Sequence, residues 1–412
     1  MKQLIEPLRS GSFRRVWAGQ LMNVLGDGVY SVAIALFLLP RKDAAETLGL
    51  VLGLSALGGV ISLLVGGVLA DRHRRSRVIA VSDLLRAAGL GMILSKGPDA
   101  PLPMLLGGAL LMGVGSGLYR PAYGALLPSL VPKEQIRSVN ALRSFTNRVG
   151  VILGAAAGGL LAAAASPRAA LVLDLLTFGV SLITVLGLRE DVPSRRGREG
   201  WLHEVLAGLR YVRNSHWMVA IMLQGTIHLA LVIAPVTVLL PFVLGNEGGW
   251  LGTAISAEAV GALAGSAVGG MLRTQKPGAV SLIALLASAA QTLALALGAP
   301  DWAYVPASFL AGFGLSVMAV LWTSALQLQT PREQLGKLLA LDALANSALL
   351  PVGLALTGWL LPRLGQVGLA WAATIALVVS IVTVLPVPGV LRFSSSVALN
   401  DRSEATAREA CP

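Results

Sequence analysis

The sequence predicts an all-α membrane protein with twelve transmembrane helices, and two observations carry this prediction. Hydrophobic residues make up 55% of the 412-residue chain and charged residues only 13%, whereas roughly a quarter of the residues of a soluble domain are charged. Apolar runs of about 20 residues, long enough to cross a hydrocarbon core of ~30 Å, recur along the chain. A chain of this composition is expected to fold within a lipid bilayer.

The apolar runs begin close to the N-terminus and follow one another with short polar turns. The first run is too long for the apolar region of a cleaved signal peptide, so it is predicted to be retained as the first span. The predicted spans cover approximately residues 15–39, 48–70, 78–96, 102–126, 138–165, 168–188, 216–244, 250–272, 279–298, 302–328, 338–361 and 366–390.

Basic residues lie mainly in alternate turns, and this bias predicts the orientation of the chain. With twelve spans both termini lie on one side, and that side holds 23 of the Lys and Arg residues while the opposite side holds 5. Because basic loops stay on the cytoplasmic side, both termini are predicted to be cytoplasmic, in a bacterial-type inner (plasma) membrane. The formal net charge of +11 is therefore a topology signal, and no nucleic acid partner is expected.

The longest polar stretch inside the chain divides it into two sets of six spans. Its basic middle predicts a flexible cytoplasmic linker, and residues 201–211 have the pattern of a short amphipathic helix at the membrane surface. The predicted domains are an N-terminal six-helix half (1–188), the linker (189–213), a C-terminal six-helix half (214–392) and a disordered cytoplasmic tail (393–412).

The two halves repeat each other in sequence. The polar pentapeptide PKEQI at 132–136 returns 199 positions later as PREQL at 331–335, and motifs of spans 1 and 2 return at offsets of 201 and 203. Internal repeats of this kind are typical of transporters, which bind their substrates near the middle of the membrane between the repeats. The halves are therefore predicted to be pseudo-symmetric.

Motifs for enzymatic chemistry are missing from the sequence. The chain has no Gly-x-x-x-x-Gly-Lys-Ser/Thr loop, no cluster of metal-ligating residues and no nucleophile–base pair. Its single cysteine, Cys411, lies in the polar tail and has no partner for an internal disulfide. The protein is therefore predicted not to be an enzyme and to need no cofactor or metal.

The turn between spans 2 and 3 carries the most recognisable motif. Residues 66–77 read GGVLADRHRRSR and connect two apolar runs. This pattern resembles the loop motif between spans 2 and 3 of the major facilitator superfamily, with Arg74 at the position of that family's usual glycine. The resemblance implies the major facilitator fold, in which spans 1, 4, 7 and 10 line a central cavity between the two halves.

Shorter motifs in spans 1, 4 and 5 narrow the resemblance. LGDG at 25–28, RPAYGALLP at 120–128 and NAL at 140–142 look like the drug and siderophore exporter branch, which contains macrolide-type efflux proteins and the enterobactin exporter. The glycines at 150, 154, 158 and 159 resemble the superfamily's antiporter motif, with Ala155 in place of its usual proline. Close helix packing explains such glycines equally well.

The resemblance implies a secondary active exporter of amphipathic, drug-like small molecules that works as a monomer, by alternating access and in exchange for protons. The expected partners are a small-molecule substrate, protons and the lipid bilayer. A siderophore or a lysophospholipid is the alternative substrate. A non-transporting membrane sensor or scaffold is the alternative from a different class.

Three ionisable residues deep in the predicted spans are the candidates for proton coupling. Asp27 lies near the middle of span 1, His228 is its counterpart in span 7 at an offset of 201, and Glu258 is the only carboxylate inside span 8. A charged group at that depth costs several kcal/mol unless it faces a wet cavity or a partner. Asp27 and His228 are predicted to face one cavity as a proton-coupling pair, or else to form a structural hydrogen-bonded pair.

Further residues of the spans are predicted to contact substrate. Arg120 and Arg148 are cations within spans 4 and 5 that either pair with the carboxylates or attract an anionic substrate. Aromatic residues of spans 1, 4 and 10 are expected to form a cavity wall, with plain helix packing as the alternative. The predicted substrate-binding residues are Asp27, Tyr30, Arg120, Tyr123, Arg148, Glu258 and Trp322.

Residues at the cytoplasmic ends of the spans are predicted to form an inner gate. The resemblance implies that Asp71 contacts the N-terminus of span 11, where the helix dipole favours an anion. The predicted gating residues are Gly67, Asp71, Arg72, Arg75, Arg143 and Asp342. Outside this set, Asp83 and Arg86 are predicted to form a helical ion pair within span 3, and Asp174 is predicted to be peripheral, near the outer end of span 6.

Overall fold

The computed structural model describes residues 6–188, 190, 209, 212–213, 215–245 and 249–394. All of the predicted amphipathic helix at 201–211 except residue 209, nearly all of the linker and residues 395–412 of the tail lie outside the described residues. Phe393, assigned from the sequence to the disordered tail, is instead 1% exposed and stacks on Trp217. The ordered C-terminal half therefore extends at least to this residue.

The N-terminal half consists of six helices that match the predicted spans. They have long apolar sequences and are separated by turns that contain Gly, Pro or basic residues. Their bounds are α1, Gly11–Leu38; α2, Ala44–Arg72; α3, Arg75–Ser95; α4, Leu102–Ser129; α5, Ile136–Ala164; and α6, Pro167–Val185.

The C-terminal half begins with a helix that is not α-helical throughout. This helix, α7, runs over His216–Leu244 and contains a π-helical turn at Leu229–Ile233. The turn precedes Pro235, whose missing N–H leaves a carbonyl of the preceding turn without its usual donor. The next helices are α8, Trp250–Met271; α9, Pro277–Leu297; and α10, Tyr304–Gln329.

The last two predicted spans form one nearly continuous helical stretch. The described residues contain eleven helices of sufficient length and hydropathy to cross a membrane, and the last covers the 51 residues Gln334–Val384. At 1.5 Å per residue this stretch is about 75 Å long, more than twice the hydrocarbon thickness. Its backbone leaves the helical region at Gly365 (φ 69°, ψ 169°). We therefore define α11 as 332–364 and α12 as 366–384, which gives the predicted twelve spans.

The two halves contact each other closely at one end of the bundle. In α2, Gly49 lies against the backbone of Gly358 in α11, where an added Cβ would come within 2.8 Å of the Gly358 Cα. In α8, Gly252 meets α5 in the same way, because an added Cβ would lie 2.7 Å from the Ala155 oxygen and 2.9 Å from the Gly159 Cα. Glycine is required at these positions by the close backbone approach.

Beyond the second contact, α5 and α8 continue towards the end of the bundle that carries the basic turns. The Ser256 hydroxyl still donates a hydrogen bond to the Ile152 carbonyl, at 2.9 Å. One turn further, side chains of the two helices surround a cavity of about 420 Å³ that includes Arg148 and Glu258. The two halves are thus in close contact at the end with few basic residues, and this cavity, the larger of the two described here, lies on the basic side of that contact.

Gly252→Val should open the closed end, because the valine side chain cannot fit against the α5 backbone. We expect the closed arrangement to lose about 1–3 kcal/mol, the usual effect of overpacking. Spin labels on Ala163 and Thr253, both exposed at this end, should then report a longer α5–α8 distance. Gly270→Val is the matched control on the same helix, since nothing lies within 4 Å of its added Cβ. Equal distances in the two variants would contradict this account of the closure.

Candidate functional site

A buried arginine organises the charged residues of the N-terminal half. The guanidinium of Arg86, near the middle of α3, is 1% exposed and forms an ion pair with Asp83. It also donates a hydrogen bond to the Asn23 amide oxygen at 2.8 Å and lies 3.6 Å from the Asp27 carboxylate. The predicted pair of Asp83 and Arg86 is therefore present, but it is part of a larger cluster that reaches α1.

Asp27 differs from its neighbours because its side chain is exposed in a cavity. The side chain is 53% exposed, whereas those of Arg86 and Asp83 are 1% and 0% exposed. It lines a cavity of about 190 Å³ together with Tyr30, Ser55, Arg86, Met112, Ser116, Tyr119 and Arg120. A carboxylate with one buried cationic neighbour and access to water can exchange a proton without leaving its place in the fold.

Two aromatic rings pack against the guanidinium of Arg86. The Arg86 guanidinium carbon lies 4.5 Å from the ring centroid of Tyr119 and 4.5 Å from that of Phe178. Tyr119 stacks on Tyr123 with ring centroids 5.5 Å apart, and Arg143 lies over the Tyr123 ring at 5.9 Å. These contacts hold a desolvated cation in a fixed position between α3, α4 and α6. Tyr123 is 2% exposed, so it supports the cavity wall from behind.

The larger cavity lies between the halves and contains charges of both signs. Arg148 of α5 and Glu258 of α8 line it with Asn147, Val151, Ile255, Ala259 and Ala262. Arg148 is exposed and Glu258 is partly buried. The structure therefore brings together two predicted substrate-binding residues from opposite halves.

A chain of hydrogen bonds connects the two cavities. The Tyr119 hydroxyl, in the smaller cavity, donates to the Gln20 amide oxygen. The Gln20 amide nitrogen donates to the Asn147 oxygen at 3.2 Å, and Asn147 lines the larger cavity. The side chains of α4, α1 and α5 thus link the environment of Asp27 with that of Arg148.

His228 does not share a cavity with Asp27. Its side chain is 1% exposed, and neither ring nitrogen has a hydrogen-bond partner among the described residues. The sequence matches at an offset of 201 lie beyond the π-helical turn that follows His228. Because such a turn contains one extra residue, it rotates His228 by about 100° from the symmetric position.

Trp322 and Asp342 form a separate cluster in the C-terminal half. The Trp322 indole nitrogen donates a hydrogen bond to Asp342 at 3.0 Å. Trp322 is 6% exposed, and its ring contacts those of Trp217 and Phe393. For Trp322 the packing alternative describes this structure better than a cavity wall.

The other predicted gating residues lie at the basic end of the bundle. Asp71 and Arg72 are exposed at the end of α2, and Arg75 is partly buried at the start of α3. Gly67 has open space around it, since an added Cβ would meet nothing within 4 Å. Arg143, by contrast, points towards Tyr123. These positions leave the gating assignment a prediction.

The sequence prediction was correct but incomplete for Asp83 and Arg86, and it was wrong for Asp174. The spacing of Asp83 and Arg86 predicts an ion pair within one helix. Each charge then already has a partner, so the spacing does not indicate contacts with other helices. Asp174 looked peripheral, yet it is 0% exposed near the middle of α6. The sequence did contain a signal for this larger cluster, since a cation and two carboxylates lie within apolar spans of the same half. Charged groups inside a membrane need partners, and these have to come from neighbouring helices.

Comparison with known proteins agrees with this architecture. Residues 3–409 match the family model described as transmembrane secretion effector. The chain belongs to this family of the major facilitator superfamily. Curated relatives in the superfamily include the enterobactin exporter EntS of Shigella boydii and that of Escherichia coli. Each is 29% identical over 380 residues, and the match covers 89% of this chain and 89% of the relative.

Solved structures of the superfamily have the same fold. The nucleoside transporter NupG superposes with a TM-score of 0.76 at 10% identity, covering 91% of this chain and 99% of that chain. A D-xylose–proton symporter superposes with a TM-score of 0.64 at 16% identity, covering 94% and 99%. The protein is therefore a multi-pass transporter of the inner membrane and not an enzyme.

Proposed function

We propose that the protein exports amphipathic, drug-like small molecules from the cytoplasm by alternating access, in exchange for protons. The observation that carries the proposal is the position of Asp27. Its carboxylate is open to a cavity, lies 3.6 Å from the buried guanidinium of Arg86 and sits near the middle of α1. A carboxylate so placed can accept a proton from one side of the membrane and release it to the other as the bundle changes state.

The distribution of basic residues supports the direction of transport. The end of the bundle beyond the larger cavity carries the basic turns, and basic loops favour the cytoplasm. The described conformation then receives substrate from the cytoplasm. Separation of the glycine contacts between the halves would release that substrate on the other side.

The composition of the larger cavity supports an amphipathic substrate. Its volume of about 420 Å³ lies within the range of small-molecule sites. Val151, Ile255, Ala259 and Ala262 offer apolar contacts, while Arg148 and Glu258 lie among them. Such a lining suits a molecule with a hydrophobic body and a charged or polar group.

A siderophore is the second candidate substrate, and two observations favour it. Curated relatives that match along 89% of this chain are named as enterobactin exporters. The two cavities also contain arginines open to solvent, Arg120 and Arg148. These cations attract acidic groups of a ligand. A lysophospholipid has no comparable observation in its favour.

Transport into everted membrane vesicles tests the proposal. Vesicles from cells that express the full chain should accumulate an amphipathic dye or a siderophore when their interior is acidified, and a protonophore should abolish the uptake. Vesicles that lack the chain are the control. If the folded protein takes up neither probe under any gradient, the sensor or scaffold alternative replaces transport. Uptake that is insensitive to the proton gradient would exclude proton exchange.

A further inference from the structure

Asp174 is a buried carboxyl that takes no part in the proton exchange proposed for Asp27. It lies near the middle of α6 and is 0% exposed. Its side chain packs against Gly26 of α1, where an added Cβ would come within 2.3 Å of its Oδ1 atom. Asp174 is thus directly beside the residue that precedes Asp27.

The hydrogen bonds around Asp174 indicate that it carries a proton. The Thr177 hydroxyl lies 2.7 Å from the Asp174 carbonyl and 3.3 Å from its Oδ1. A hydroxyl has one proton, and the shorter contact uses it. The contact with Oδ1 is then satisfied when the carboxyl donates to the hydroxyl. The Oδ2 atom has no hydrogen-bond partner in the described part of the chain, and a buried carboxylate without donors is strongly unfavourable.

The charges that face Asp174 lead to the same conclusion. From α1 it faces Asp27 and Tyr30, and from α3 it faces Arg86. Arg86 already pairs with Asp83 and lies 3.6 Å from Asp27. Arg120 lines the same cavity as Asp27 and is a second, exposed cation near it. Three carboxyls therefore face two cations. If all three were ionised, one negative charge would be uncompensated in a low-dielectric region, so at least one of them holds a proton.

We propose that Asp174 is a second proton-binding carboxyl of the transport cycle, coupled to Asp27 through the shared charge of Arg86. This inference rests on the proposed function. It identifies Asp174 as a residue that holds a proton while the protein changes between its two open states. While Asp27 is ionised, it and Asp83 both carry negative charge beside Arg86, and Asp174 keeps its proton. When Asp27 binds a proton, one of these negative charges is removed, and Asp174 can release its own proton. The ligand is a proton and not a metal ion, because Arg86 already occupies the space between Asp27 and Asp83.

Infrared spectroscopy of the purified full chain tests this assignment without substrate or gradient. A protonated carboxyl gives a carbonyl stretching band, and a buried one exchanges its proton slowly in heavy water. We expect a slowly exchanging band in the wild-type protein at neutral pH, and its loss in Asp174→Asn. Asp301→Asn, in an outer turn, should leave the band unchanged. The absence of the band from the wild type, or its persistence in Asp174→Asn, would overturn the proposal.

Two variants that retain Asp174 keep the test decisive if Asp174→Asn fails to fold. Thr177→Val removes the hydroxyl beside Oδ1 with little change in shape, and the band should move in frequency. Asp27→Asn removes the competing charge, and the slow band should lose intensity at the same pH. If the band keeps its frequency in Thr177→Val and its intensity in Asp27→Asn, the proposal is wrong. None of these spectra requires transport. The vesicle assay can therefore fail while the spectra still show a protonated Asp174, so a failure of the proposed function is distinguishable from a failure of this inference.

Discussion

Asp27→Asn should abolish gradient-driven efflux while substrate binding persists. The asparagine keeps the shape of the side chain and can still accept a hydrogen bond, but it cannot bind and release a proton. Among the described carboxyls around Arg86, that of Asp27 is the exposed one, at 53% exposure in a cavity. Coupling requires an acid that changes protonation as the cavity opens to each side. The remaining carboxyls of the cluster are buried and cannot replace it.

Two assays on vesicles measure this effect. Uptake driven by an acidic interior should fall to the level of vesicles without the protein, whereas counterflow exchange, which needs no net proton movement, should continue. Asp99→Asn is the matched control, because this carboxyl is exposed in the turn between α3 and α4. If Asp27→Asn retains full pH-dependent efflux and Glu258→Gln abolishes it, the coupling site belongs to the C-terminal half.

Arg86→Met should have the largest effect on stability. Removing the guanidinium leaves Asp83 buried at 0% exposure without its cationic partner, and the stacks with Tyr119 and Phe178 are lost. Removal of one partner from a buried ion pair typically costs about 3–5 kcal/mol. We expect a lower thermal unfolding temperature in detergent and a reduced yield of folded protein.

A double substitution separates the ion pair from the packing of the arginine stem. Replacing both partners by apolar residues of similar size is often neutral, so Arg86→Met combined with Asp83→Leu should recover much of the lost stability. Coupling should remain impaired, because Asp27 has still lost its neighbouring cation. Arg120→Met is the control, since this arginine is exposed to a cavity. Equal stability of Arg86→Met and Arg120→Met would contradict the assignment of Arg86 as the buried centre.

The sequence was sufficient for the fold because lipid imposes simple rules on it. The lengths of the apolar runs predicted the helices, and the repeat at residues 132–136 and 331–335 predicted the two halves. Partnerships between helices were harder to predict, since spacing along one helix cannot show which neighbour approaches it. Arg86 was therefore assigned only to Asp83, although Asn23 and Asp27 lie on its other side. The His228 pairing failed because a π-helical turn changes the register without any clear mark in the sequence.

The hydrogen-bonded path from Tyr119 through Gln20 to Asn147 has a thermodynamic consequence. It joins the cavity that contains Asp27 to the cavity that contains Arg148. In the proposed exchange of substrate for protons, we expect occupancy of either cavity to alter the other through this path. Coupling free energies between two sites are reciprocal. Whatever factor a bound substrate applies to the proton affinity of the first cavity, a bound proton applies to the substrate affinity of the second. Exchange of substrate for protons then requires this factor to lower both affinities. Binding of a proton then favours release of the substrate, and binding of the substrate favours release of the proton.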